Sequence, residues 1–175
     1  MKTNIIVVDD FYNNPKEVRE HALQLDYEIL GNYPGCRSVP EPTEQSAYLK
    51  TFFEKEILHR NIFNWVNEYN TCYQYTTAED STWVHSDGTE WAGVLFLTPD
   101  APIESGTATY ESKVSKPDSN NLEHWTQTNF IGNIFNRLVL YNGKLSHRSV
   151  LPGFGTSKET GRLFQTFFFD VGEAS

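Results

Sequence analysis

The spacing of apolar positions changes near the middle of the chain. Residues 4–8 carry the β-branched run Ile5-Ile6-Val7-Val8, closed at once by Asp9 and Asp10, and read as a short buried strand. Asn14-Pro15-Lys16-Glu17 reads as a helix start, with an Asn cap, a Pro at the first helical position and an acid where a capping box places one. Val18, Ala22, Leu23 and Leu25 give that helix an apolar side. Residues 31–42 are rich in Gly and Pro and read as loop. Thr43 is placed to cap a second helix, along which Leu49, Phe52, Phe53, Ile57 and Leu58 recur at helical spacing, with a weak continuation from Ile62 to Val66.

From Cys72 onward the pattern becomes short β-rich runs at 72–77, 82–85, 91–97, 106–111, 127–131, 137–141, 145–150 and 162–170. Gly, Pro, Asn and Asp clusters separate them. Such spacing predicts a mainly β fold of the jelly-roll kind, not alternating βαβ units. The helices come first in the chain, so they are expected to pack on the outside of one sheet. Residues 112–126 form the one long polar loop of this half, a length often used for lids or binding loops.

Composition narrows the function. A chain of 175 residues suits one domain, here 1–70 as supporting strand and helices and 71–171 as the β core. Net charge is -9, so there is no basic field for a nucleic-acid backbone. The run 5–8 is too short for a signal-peptide core or a membrane span, and Cys36 and Cys72 form neither a metal knuckle nor a disulfide framework. The expectation is a cytoplasmic protein. No single apolar stripe marks an interface, so no oligomeric state is assigned.

Five histidines are the next clue. His21 and His59 lie on the helices and read as surface or capping residues, and His124 lies in the polar loop. His85-Ser86-Asp87 ends the run Ser81-Thr82-Trp83-Val84. One His-x-acid triplet is unremarkable in so acidic a chain. However, positions i and i+2 of an extended chain point the same way, so His85 and Asp87 can share a metal. His147 begins a later strand. Two imidazoles and one carboxylate on one face, with the opposite face open, make the facial triad of non-heme Fe(II) oxygenases. Arg162 opens the last strand, and a guanidinium is a planar fork for a carboxylate. Phe164, Thr166 and Phe168 should share its side of that strand.

The stretches Trp83–Gly88, Trp91–Pro99, Gly106–Tyr110, Asn136–Gly143, Ser146–Arg148 and Gly161–Phe169 resemble, in order and spacing, the 2-oxoglutarate- and Fe(II)-dependent dioxygenase superfamily. The likeness spans about residues 72–170 and is greatest to a small branch found in bacteria and phages; the opening Val8-Asp9-Asp10-Phe11-Tyr12 also fits that branch. It implies a double-stranded β-helix with N-terminal helices on one sheet. It implies His85, Asp87 and His147 as iron ligands, Arg162 as the 2-oxoglutarate anchor with Arg148 a weaker substitute, and Tyr75 as a co-substrate contact with Tyr73 or Gln74 as alternatives. The implied reaction couples decarboxylation of 2-oxoglutarate to succinate and CO₂ with O₂-dependent hydroxylation of a peptidyl, prolyl-hydroxylase-like or small-molecule substrate. Trp91, Tyr110 and Trp125 are candidate pocket walls or plain core. The competing reading is a non-oxidising metal-binding jelly roll, a cupin-like enzyme or sensor; a metal-free interaction domain is the third.

Overall fold

The computed structural model describes residues 3–150 and 153–172. Its longest strand organises the rest. β10 (Arg162–Val171) alternates Leu163, Gln165, Phe167 and Phe169 with Arg162, Phe164, Thr166 and Phe168. Both sets are largely buried, which marks a central strand covered on both faces. β10 pairs on one side with β5 (Trp91–Phe96) and on the other with β4 (Tyr73–Thr76). The sheet continues through β8 (Leu138–Asn142) to β1 (Ile5–Val8) at one edge, and through β2 (Cys36–Arg37) at the other. β3 (Ile62–Phe63) pairs with the far end of β10. A second, three-stranded sheet holds β6 (Thr107–Ser112) between β7 (Trp125–Ile131) and β9 (Ser146–Ser149). All these pairings are antiparallel. Two facing antiparallel sheets make the expected jelly roll, without closing into a barrel.

Helices α1 (Pro15–Gln24) and α2 (Thr43–Phe52) cover one face of the large sheet. Ala22, Leu49 and Phe53 join Leu95, Leu140, Leu163, Phe167 and Phe169 in one core cluster. A buried asparagine ties the entry to α1 into the sheet layer. Asn136 Oδ1 accepts from the Tyr12 N–H (2.9 Å), its amide donates to the Tyr12 carbonyl (2.9 Å), and the Tyr12 hydroxyl donates to Gln165 Oε1 (2.7 Å). The opposite face of the large sheet presents Ala92, Val94, Phe96, Val139, Tyr141 and Phe164, and meets Ile131 of the small sheet.

Several local expectations need correction. Asn14 precedes α1, but its side-chain amide donates to Glu17 Oε2 (3.3 Å) and caps no helix N–H. Thr43 lies inside α2, preceded by Pro42. The helix runs on through a π-helical turn, Phe53–Leu58, and stops at His59, whose φ of 52° is left-handed. Ile62–Val66 therefore does not extend it. Residues 82–85 form no strand beyond one bridge at His85, and the predicted loop 31–42 contains β2. At Cys36–Arg37 pairing with β4 overrode the local pattern, whereas 82–84 finds no strand to pair with. The polar segment 112–126 is the end of the β6–β7 hairpin, since Ser112 pairs with Trp125.

Phe53 is fully buried and meets Phe167 edge-on at 4.9 Å. Phe53→Ala should cost about 3–5 kcal/mol, read as a lower urea midpoint with unchanged slope. A loss below about 1 kcal/mol would mean the helix layer does not pack as described.

Candidate metal centre and its cavity

Backbone pairing assembles the cluster. His85 and His147 form an antiparallel bridge in which the His85 N–H donates to the His147 carbonyl (3.0 Å) and the His147 N–H to the His85 carbonyl (2.7 Å). Directly opposed residues project to the same face, and the two rings lie 4.5 Å apart, centroid to centroid. Asp87 follows two residues on, and its N–H donates to the Gly143 carbonyl (2.7 Å). That turn requires glycine: a Cβ on Gly143 would fall 2.7 Å from the Thr89 carbonyl oxygen and 3.2 Å from Asp87 Cβ. One ligand atom from each of His85, Asp87 and His147 then lies within 4.8 Å of the others.

The protonation pattern suits a metal. His85 Nδ1 faces the Trp83 carbonyl (3.0 Å), and His147 Nδ1 faces the Leu145 carbonyl (2.8 Å). A carbonyl only accepts, so both rings carry the proton on Nδ1 and aim Nε2 lone pairs inward. Burial, and then the neighbouring His147, hold the His85 imidazole below its ordinary value. His147 Nε2 stands 3.2 Å from Asp87 Oδ2, and His85 Nε2 stands 3.9 Å from Asp87 Oδ1. Among the described residues Asp87 Oδ2 is buried without a hydrogen-bond donor. Three ligand atoms converging in this way fit a divalent cation, and two imidazole nitrogens with one carboxylate suit Fe(II).

The cluster opens on a cavity of about 450 Å³ between the sheets. Phe164, Thr166 and Phe168 of β10 line it, with Val94 and Tyr141 beside them. The Tyr141 ring packs 4.6 Å from that of His147, and burial, with Asp87 nearby, pushes its hydroxyl pKa up. Arg162 sits just beyond the lining residues Thr107 and Phe164. It is 3% exposed, donates to Thr107 Oγ1 (3.1 Å), and among the described residues its Nε has no partner. Phe96 and Phe164 flank its guanidinium at 5.2 and 5.3 Å. Burial lowers its pKa to about 10, so it stays charged at neutral pH. Among the described residues it makes no ion pair. A buried cation without an acid is costly, and an anionic ligand would resolve it.

Other predicted positions fall elsewhere. Tyr75 is a correction: β4 alternation turns it to the helix side, where it meets Tyr27 at 5.1 Å, while Gln74 lines the cavity. Tyr73 shares the Tyr75 side. Trp91 faces the helix-side core; Tyr110 and Trp125 pack with Val84 outside the cavity. Arg148 is engaged by Thr82 Oγ1 (2.7 Å) and the Ser149 carbonyl (3.2 Å). His21 pairs with Glu41 (3.0 Å), and His124 Nδ1 accepts from the Asp118 N–H (3.0 Å), away from the cluster. Sequence reasoning missed Arg37, Tyr33 and Tyr141 in the lining; β alternation within 137–141 was the available signal for Tyr141, and none existed for the other two.

No protein-family model and no curated protein matches this sequence. Solved structures do match it in shape. A structure of HygX from Streptomyces hygroscopicus with nickel, 2-oxoglutarate and hygromycin B bound aligns at TM-score 0.63 and 12% identity, covering 95% of this chain and 82% of that one. A prolyl hydroxylase from Trichoplax adhaerens, in complex with a hypoxia inducible factor oxygen degradation domain peptide fragment, aligns at 0.59 and 11%, covering 95% and 84%. A Pseudomonas putida prolyl-4-hydroxylase aligns at 0.57 and 10%, covering 95% and 91%. Likeness at such identities establishes the fold.

The converging acceptors should oppose folding when no cation is present. Asp87→Asn supplies an N–H and removes a charge. In chelator this variant should be about 1 kcal/mol more stable than the parent, read by thermal unfolding. A less stable variant would show that Asp87 is paired in the metal-free protein.

Proposed function

We propose that this chain, which has the double-stranded β-helix fold of the 2-oxoglutarate- and Fe(II)-dependent oxygenases, is itself such an oxygenase. It would couple conversion of 2-oxoglutarate and O₂ to succinate and CO₂ with hydroxylation of a second substrate. One observation carries the reading: a metal-ready cluster lines a cavity, and a buried guanidinium with no ion pair among the described residues sits just behind the Thr107 and Phe164 walls of that cavity. Thr109 of β6 pairs with His147, and Thr107, two residues along, meets the Arg162 guanidinium. That offset is about 7 Å along a strand, the reach of a five-carbon dicarboxylate whose other end is held at the cluster.

In this reading His85, Asp87 and His147 hold Fe(II), and Arg162 with Thr107 holds the far carboxylate of 2-oxoglutarate. Bound Fe(II) supplies the activation of O₂. The chain supplies position and environment. The Trp83 and Leu145 carbonyls keep both Nε2 lone pairs available. Asp87 offsets part of the metal charge. Val94, Phe164 and Tyr141 give the cavity a largely apolar wall that limits water. A non-oxidising metal sensor would use the three ligands but has no role for Arg162.

The second substrate is a small molecule or a peptide. Among the similar folds, one was solved with hygromycin B and one with a peptide fragment. Placement in a bacterial and phage branch rests on the sequence resemblance alone. A single domain over 1–175 is supported by one sheet that joins β1 near the start to β10 near the end. Among the described residues no helix is long and apolar enough to cross a membrane.

Anaerobic addition of Fe(II) and then 2-oxoglutarate to metal-free protein should produce the visible charge-transfer band of the chelate. His85→Ala and His147→Ala should lose iron and the band. Arg162→Ala should keep the metal but bind 2-oxoglutarate about ten- to a hundredfold more weakly. Folded protein that gives no band would remove the oxygenase reading, and normal keto-acid binding by Arg162→Ala would remove that anchor.

A further inference from the structure

A second buried arginine lines the cavity and has no function in the scheme above. Arg37 belongs to the two-residue strand β2, and pairing sets Arg37, Gln74 and Phe164 side by side across three strands. Arg37 is 9% exposed. Its Nε donates to Gln74 Oε1 (2.7 Å), and the Gln74 amide is oriented in turn by donating to the Pro34 carbonyl (2.6 Å). The guanidinium lies over the Tyr33 ring, 3.8 Å from its centroid, with Phe168 at 5.4 Å. Among the described residues its two terminal nitrogens make no hydrogen bond and no carboxylate pairs with it. One edge and one face are thus held, while the donor fork is left free.

Charge balance gives this a direction. Asp87 is the one acid among the described lining residues. In the proposed complex, the charges of Fe(II) and Arg162 are matched by Asp87 and the two carboxylates of 2-oxoglutarate. Arg37 is left over, buried and preoriented. Arg148 differs, because Thr82 and Ser149 already take its Nε and one terminal nitrogen. Tyr33, Gln74 and Arg37 lie on the β4–β2 side of the cavity, whereas Arg162 lies beside Thr107.

We propose that Arg37 is the specificity residue for the second substrate, and that this substrate is a small carboxylic acid whose carboxylate the free fork receives. The proposal rests on the oxygenase reading. A volume of about 450 Å³ suits a small molecule beside the keto acid better than a long peptide. A carboxylate matches the planar fork, and the stacked Tyr33 ring keeps that fork from turning away. Gln74 is a positioning residue: its two hydrogen bonds fix the direction in which Arg37 presents its donors.

The test uses the enzyme loaded anaerobically with Fe(II) and 2-oxoglutarate. The probes are the free L-amino acids and short hydroxy acids, each beside its own primary amide. The readout is perturbation of the charge-transfer band. At least one acid should bind about ten- to a hundredfold more tightly than its amide. Arg37→Gln should erase that preference while the keto-acid band itself persists, and Arg37→Lys should restore only part of it. The proposal is overturned if no acid outbinds its amide, or if Arg37→Gln binds the acid as the parent does. If Arg37→Gln instead loses the keto-acid band, Arg37 anchors the co-substrate and the proposal is wrong. If the parent shows no band at all, it is the oxygenase reading that fails, and the two failures are distinct.

Discussion

Two reciprocal hydrogen bonds between the backbones of His85 and His147 are the constraint on which the site depends. They join a segment that is otherwise not strand to the edge of the small sheet. Facing residues of an antiparallel pair share a face, so the bridge sets two imidazoles together without any side-chain adjustment. Asp87 then follows by the period of an extended chain, and the Gly143 turn receives its N–H. A shift of one residue in this register would turn both rings to the other side.

The second constraint is the double use of β10. One face of the strand builds the core beneath the helices, through Leu163, Phe167 and Phe169. The other carries Arg162, Phe164, Thr166 and Phe168 toward the cavity. Packing on the first face holds the second rigid, as the proposed positioning of a co-substrate would require. The cost is local. Among the described residues, Arg162 is a buried charge with an unpaired Nε and Asp87 Oδ2 is a buried acceptor with no donor. Stable folds avoid such groups, and two of the three such atoms among the described residues lie beside this one cavity.

Much of this was legible beforehand because it rests on short-range periodicity. The alternation along 162–170 marked Arg162, Phe164, Thr166 and Phe168 as one face, and His85 with Asp87 as a same-side pair. Local reasoning failed where pairing partners decide the outcome. Tyr75 and Gln74 are neighbours on one strand, and nothing near them in sequence says which side of β4 becomes cavity; the layer of helices takes Tyr75. Trp91 and Tyr110 were ambiguous for the same reason. Cys36–Arg37 sits in a Gly- and Pro-rich stretch that reads as loop, and becomes strand only because β4 offers it an edge.

By itself, then, the sequence determined the class of fold, the succession of strands, and the residue types able to bind a divalent metal and a carboxylate. Those depend on periodicity, composition and motif order, all of which are properties of neighbouring residues. Tertiary structure alone decided that His147 would face His85, that Arg162 would be buried without an acid, and that Arg37 would enter the cavity with its fork free. These are matters of which distant strands pair and in what register. They are set by the joint burial of a whole sheet, and no local stretch of residues carries that information.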